Sequence, residues 1–273
     1  ADSQIHRSEL IEVATKRKGR VAFEAVIKLG ELEDEEITLV YISILKKADA
    51  YGDPWMRKAI LSGAEKRSGA ILAALLTDQS LVKRTDFLPV IREFSTVIAA
   101  SGNLPDLSAI LASLESGSEA GPWQFALSEG LAGGLRRSRL KQKSLAALIA
   151  NPPAELEPFA HQLQAIVDHS ASTVLEQAAT IDVRLAALPL ASQQGQDATF
   201  EIVEKLIAQT VPVELQQAAC ETMSRFNRSA VADFFFARWD DLGPTPRRVA
   251  LNLIATNSKT AIALMKKMKA GET

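Results

Sequence analysis

A chain of 273 residues with 47% hydrophobic but only 5% aromatic residues must fill its interior mainly with Ala, Leu, Ile and Val, which suits close-packed helices and argues against a β-sandwich. Its 31 Lys and Arg against 33 Asp and Glu leave a net charge of -2, so the overall balance does not mark a polyanion-binding protein, although a local basic stripe fits within it. No apolar run reaches the roughly eighteen residues of a membrane span, the start ADSQIHRSEL lacks signal-peptide form, and the single cysteine, Cys220, excludes an internal disulfide. An Ala start without Met is expected of a processed chain or of a fragment of a longer protein.

The periodicity predicts a first helix from Gln4 to Thr15, then a basic tetrad of Lys16, Arg17, Lys18 and Arg20 read as a solvated connection. VAFEAVIKLGEL places Val21, Ala25, Leu29 and Leu32 near one helical face, with Gly30 where a turn is wanted. The acidic stretch 31–36 leads into a helix from Glu36 to about Lys47 carrying Ile37, Val40, Tyr41, Ile44 and Leu45, and carboxylates at its start complement its dipole. In DPWMRKAILSGA, residues 53–64, Asp53 is placed to cap a helix and Pro54 suits its first turn. Ala59, Ile60, Gly63 and Ala64 there form a face that admits a close neighbour. After the apolar segment Ile71 to Leu76 and a polar break over 77–86, a helix over 87–100 presents Phe87, Val90, Ile91, Phe94, Val97 and Ile98. Gly102 and Pro105 end it and open another with Leu107, Ile110, Leu111 and Leu114.

The Gly/Ser-rich stretch 116–122 is the candidate flexible joint. Trp123 to Leu135 is again helical in pattern, loosened by Gly130, Gly133 and Gly134. The basic run Arg136, Arg137, Arg139, Lys141 and Lys143 reads as a soluble helix end, with anion or nucleic-acid binding as the alternative. Asn151, Pro152 and Pro153 break the chain, and a longer helix runs from Glu155 to about Leu175.

From Thr180 onward, helix pairs start at Ile181, Pro212 and Pro244, with partners Phe200 to Ile207, Ala230 to Trp239 and Thr260 to Met268. Ala186, Ala218 and Ala250 recur 32 residues apart, and the same frame around Glu24 and Ala59 spans 35. Such recurrence predicts an all-α fold, a right-handed α-solenoid of antiparallel helix pairs forming one repeat domain over 1–273. Arg57, Arg184, Gln216 and Arg248, each two places before the aligned alanine, are expected to form a structural ladder. They would bond the preceding turn's carboxylate or carbonyls, with Asp53 and Asp182 as local partners of Arg57 and Arg184.

No catalytic, cofactor-binding or metal-ligating set stands out. His161 and His169, with Asp168 beside the second, lie eight apart on one predicted helix, wider than a zinc-binding pair wants. Cys220, among Ala218, Ala219 and Met223, reads as a packed apolar residue, and Gly130, Gly133 and Gly134 follow no strand and form no phosphate loop. Trp55, Trp123 and Trp239 sit near helix ends, where they either pack between repeats or offer a partner-binding surface.

The units resemble HEAT repeats, the armadillo-like helical class. DPWMRKAILSGA, FLPVIREFSTVIAASGN and the tail 212–271, with FFFARWDDLGPTPRRVALNLI and ALMKKMKAG, resemble the HEAT-like segment of large multidomain proteins of planctomycetes and related bacteria. Those proteins typically carry a sugar-dehydrogenase-like β-propeller before this segment and a c-type haem domain after it. The resemblance implies a noncatalytic scaffold that mediates contacts with a protein partner or with neighbouring domains of the same polypeptide. It also implies an exported or periplasmic location and no cofactor of its own: with Cys220 alone there is no Cys-x-x-Cys-His haem attachment, so redox chemistry would lie outside this chain. The alternative is a nucleic-acid enzyme, because some HEAT-like solenoids excise alkylated bases from DNA held in a basic concave groove by Trp and Asp side chains. Trp55 beside Asp53, or Trp239 beside Asp240 and Asp241, would take those parts, against a net charge of -2.

Overall fold

The computed structural model describes residues 2–114, 120–256 and 258–270, and among them every regular element is helical. Contacts gather into two compact units, Ala1–Ile166 and Val167–Thr273. The division falls inside a helix and not at the joint expected near 116–122, of which 116–119 lie outside the described residues.

Unit 1 holds α1 (Asp2–Lys16), α2 (Gly19–Leu29), α3 (Glu36–Leu45), the single turn α4 (Ala48–Tyr51), α5 (Pro54–Gly63), α6 (Ser68–Leu76), the single turn α7 (Gln79–Val82), α8 (Leu88–Ser101), α9 (Leu104–Leu111), α10 (Pro122–Leu135) and α11 (Leu145–Ala150). Helix α12 (Ala160–Leu175) starts in unit 1 and ends in unit 2, which holds α13 (Ile181–Ala191), α14 (Gln196–Leu206), α15 (Val213–Thr222), α16 (Arg228–Phe236), α17 (Pro244–Ala255) and α18 (Ser258–Ala270). No described helix is long and apolar enough to cross a membrane.

Short polar side chains start many of these helices. Asp53 accepts the Trp55 amide at 2.9 Å, Asn103 accepts that of Asp106 at 3.1 Å and Ser144 that of Ala147 at 3.1 Å, each filling a donor that the first turn leaves open. Asp78 does the same for Ser80 and Leu81. Its carboxyl is held down to about 2 by the Ser80 side chain and by Lys46. Gly102 closes α8 in the left-handed region at φ 70, a conformation glycine adopts without steric cost. Where a helix from Glu155 is expected, residues Ala154–Phe159 instead form a 3-10 segment and α12 begins at Ala160. Pro158 lacks an amide donor and disfavours α geometry in the residue before it, which accounts for the delay.

Within unit 1, α2 packs on α5, α5 on α8 and α8 on α10, while α1 packs on α3, α3 on α6 and α6 on α9. Within unit 2, α13 packs on α15 and α15 on α17, with α14 against α15 and α16 against α17. Ile37, Val40, Tyr41, Ile44 and Leu45 are all buried, as are Leu107, Ile110, Leu111 and Leu114. Helix α2 departs from its expected face. Val21 is 61% exposed and the buried stripe is Ala22, Ala25, Val26 and Leu29, and the chain crosses α5 closely at Val26 and Gly30. A methyl group at Gly63 there would lie 2.7 Å from the Val26 carbonyl oxygen and 2.3 Å from Tyr41 Oη, and Tyr41 donates to that same carbonyl at 2.8 Å.

Helices α8 and α10 also cross closely. A Cβ at Gly130 would come within 2.4 Å of the Arg92 carbonyl oxygen, and one at Gly134 within 2.2 Å of that of Thr96. These glycines therefore bind the two helices together instead of loosening α10. Gly133 looks elsewhere: its added Cβ would meet only the Thr96 side chain, at 3.6 Å. Alanine at 133 is expected to leave the protein unchanged or to stabilise it by up to about 1 kcal/mol through helix propensity. Gly134→Ala is expected to destabilise it by about 2 kcal/mol, because backbone must move. Urea unfolding followed by circular dichroism compares the two, and similar midpoints would remove the assigned role of the α8–α10 contact.

Candidate functional site

Four helices carry a long planar donor at their fourth residue: Arg57 in α5, Arg184 in α13, Gln216 in α15 and Arg247 in α17. Side chains on a helix lean toward its N-terminus, so a donor at that position lies over the segment that has just delivered the chain. The carbonyls found there lie at helix ends and in connections, where fewer backbone amides reach them. Arg57 Nη1 donates to the Tyr51 carbonyl at 2.8 Å, and its Nε and Nη2 reach the two oxygens of Glu93 in α8 at 3.0 and 3.2 Å. Arg184, 7% exposed, donates from Nε to the Val174 carbonyl at 2.8 Å. Gln216 Nε2 spans the carbonyls of Ala208 at 3.0 Å and Val211 at 2.8 Å. Arg247 donates to those of Trp239 at 3.2 Å and Asp240 at 3.3 Å.

Two assignments made from sequence alone are corrected by this geometry. Asp53 and Asp182 are not the partners of Arg57 and Arg184: Asp53 is committed to the Trp55 amide, and Asp182 is exposed on the first turn of α13. In the last unit the donor is Arg247, while Arg248 is exposed. Ala59, Ala186 and Ala218 are the sixth residues of their helices, whereas Ala250 is the seventh of α17. Alignment on alanine therefore slips by one residue. Counting from the helix start, marked by Pro244, recovers the position.

The three tryptophans differ sharply. Trp239 is buried under Arg247, whose guanidinium lies 6.0 Å from the ring centroid, and Trp123 is half-buried on the first turn of α10. Trp55 is 68% exposed with Lys58 Nζ 4.9 Å from its ring centroid, so it alone of the three presents most of its indole. Arg136, Arg137, Arg139, Lys141 and Lys143 are all exposed between α10 and α11.

Among the described residues no group of three or more His, Cys, Asp and Glu is placed to hold a metal ion. His161 and Asp168 are exposed on α12 and His169 is half-buried there. Cys220 is fully buried in α15, and burial, with Glu221 adding to it, pushes its thiol up to about 12. A thiol in that setting stays protonated and does not act as a nucleophile at neutral pH. No family model matches the chain, and no curated protein or solved structure matches it.

Replacing Gln216 by Leu keeps the volume but leaves the half-buried Val211 carbonyl without its side-chain donor, while the Ala208 carbonyl keeps the Val211 amide, and is expected to destabilise the protein by about 1 kcal/mol. Arg248→Ala should stay within about 0.5 kcal/mol of the native chain. Chemical unfolding of both variants reads the difference.

Cys220 also makes stability fall at high pH. The unfolded thiol titrates near its ordinary value of 9.0 and the folded one at about 12, so the native state keeps a proton that the unfolded state releases. This contribution is complete below about 9 and is lost as pH rises toward about 12. The unfolding midpoint should decline more steeply between pH 9 and 11 in the native chain than in Cys220→Ala.

Proposed function

We propose that this chain is a noncatalytic helical-repeat scaffold, its units built as short HEAT-like stacks of antiparallel helix pairs, that holds a protein partner or neighbouring domains of a longer polypeptide. One observation carries the reading. Six side-chain hydrogen bonds between distant elements span close to one repeat length, Lys47 to the Thr15 carbonyl over 32 residues, Arg67 to the Leu32 carbonyl and Tyr51 to Asp86 over 35, Arg57 to Glu93 over 36, Arg92 to Glu129 over 37, and Arg238 to Glu204 over 34, while Tyr41 to Val26, Gln194 to Val167 and Arg7 to Glu36 span 15, 27 and 29. Helices likewise pack on the next helix of the same kind, as α2, α5, α8 and α10 do. Contacts confined to neighbouring units are what a stack of repeats requires, since one unit cannot bury its apolar face alone.

The latch at the fourth helical residue belongs to the same reading, because each copy ties one helix to the carbonyls that precede it. Trp55 is the residue through which the scaffold would meet its partner: a large ring held in the open by a capped first turn, whereas Trp123, at the same place in α10, is half-buried. On the resemblance to planctomycete-type multidomain proteins, the neighbours would be a propeller and a haem-bearing domain of an exported polypeptide.

A photo-crosslinking phenylalanine analogue at position 55, introduced into the protein in its source cells, tests this. Covalent adducts with one or a few proteins are expected at position 55 and not at position 39, where the exposed Leu39 serves as the control. Equal labelling from both positions, or none, would count against a partner at Trp55.

A further inference from the structure

We infer that the loop joining α10 to α11 is a docking surface for an acidic segment of a protein partner, a reading that rests on the scaffold function and assigns it a second surface besides Trp55. Five exposed cations stand within eight residues, Arg136, Arg137, Arg139, Lys141 and Lys143. No Asp or Glu occurs from Gly130 through Ala154, although the chain as a whole is balanced to -2. Among the described residues, the ion pairs of unit 1 engage other cations: Arg7, Lys16, Lys18, Arg20, Lys28, Lys46, Arg57, Arg84 and Arg92.

The end of α10 does not account for this run. Cations complement a helix C-terminus only within its last turn, and one or two would do. Lys141 and Lys143 lie six and eight residues past Leu135, beyond that range. Solubility does not account for it either, because a solvated connection needs no exclusion of acids over 25 residues of sequence.

The loop holds its charges on a fixed frame. Ser138 is buried, its Oγ accepts the Leu140 amide at 3.2 Å, and its carbonyl accepts from Lys143 Nζ. Gln142 Nε2 donates to the Asn151 carbonyl at 2.7 Å, and Ser144 caps α11. Gly102 closes against Ser138 and Arg139 from the end of α8. Binding to such a loop loses little entropy to ordering, and three guanidinium groups offer the paired N–H donors that match carboxylates.

Carboxylates fit better than nucleic acid here. The cationic surface is one short loop, flanked by the uncharged helix LAALIA on one side and by Glu129, paired with Arg92, on the other. A phosphate backbone needs a longer cationic track, and single-stranded bases need aromatic platforms. The nearest aromatic upstream, Phe125, is fully buried, and Trp123 before it is half-buried.

The test uses the full chain, a fluorescein-labelled octaglutamate peptide and an equally labelled octathymidylate, with binding read by anisotropy at low and physiological salt. The native chain should bind octaglutamate at low salt and weaken as salt rises. Arg136→Glu/Arg137→Glu/Arg139→Glu should lose about tenfold or more in affinity, by summing exposed pairs. Lys205→Glu/Arg248→Glu/Lys269→Glu, with the same change in net charge placed in unit 2, should lose less than about threefold. All the altered residues are exposed, and circular dichroism checks that both variants stay folded. The inference is overturned if the native chain does not bind octaglutamate at low salt, if both variants lose equally, or if octathymidylate binds as tightly with the same dependence on the loop. Failure here with adducts persisting at position 55 removes only this surface, whereas loss of both removes the scaffold reading.

Discussion

A chain divided into many short helices must satisfy a great many helix ends. A helix leaves four amides at its start and four carbonyls at its end without intrahelical partners. The amide side is met locally by Asp53, Asp78, Asn103, Ser144 and Asn227, each reaching into its own first turn. The carbonyl side is harder, because an acceptor needs a donor brought from elsewhere. Arg57, Arg184, Gln216 and Arg247 supply it from the fourth residue of the following helix. A guanidinium and a primary amide share the features that matter, a planar head with several N–H donors on a stem long enough to reach back. Glutamine can therefore stand in the series at Gln216 without a charge.

The second constraint is closeness. An interior with few aromatic rings gains its dispersion contacts from short distances, which glycine and alanine provide where two backbones meet. At α8–α10 the main-chain atoms of Arg92 and Thr96 occupy the space a side chain would need at Gly130 and Gly134. Polar links then fix register across the same contacts: Arg57 joins α5 to Glu93, and Arg92 joins α8 to Glu129. Adjacent residues of α8 thus face different neighbours, Glu93 accepting from α5 and Arg92 donating to α10.

Much of this was legible in sequence, and what escaped has a common cause. Helix identity and most core stripes follow from spacing alone, as in the buried Ile37, Val40, Tyr41, Ile44 and Leu45. Short turns such as α4 and α7 offer too few residues for a period to show. Spacing puts Val21 on one face with Ala25 and Leu29, but the buried stripe is turned by one residue and takes Ala22 instead. The latch was readable as a recurring polar residue, yet its last member was misplaced because alanine keeps pace with packing, while donor position keeps pace with the helix start. Glu93 could not be paired with Arg57 from sequence, since ion-pair partners one repeat away carry no local signal.

Net charge misleads here for a physical reason. The acidic run 31–36 is largely answered within the chain: Arg7 contacts Asp34 and Glu36, Lys28 contacts Glu31, and Glu36 stands in the first turn of α3, where the helix dipole favours it. The basic run 136–143 meets no such answer among the described residues: the bond that Lys143 makes within it runs to an uncharged carbonyl. Two segments of opposite sign thus cancel in the total while differing in what they present to solvent. Because screening confines exposed charges to a reach of about 10 Å, an approaching partner senses the local segment and not the sum. The near-neutral total is therefore compatible with a strongly cationic surface, and the sign of a binding partner has to be read from unanswered charges, one segment at a time.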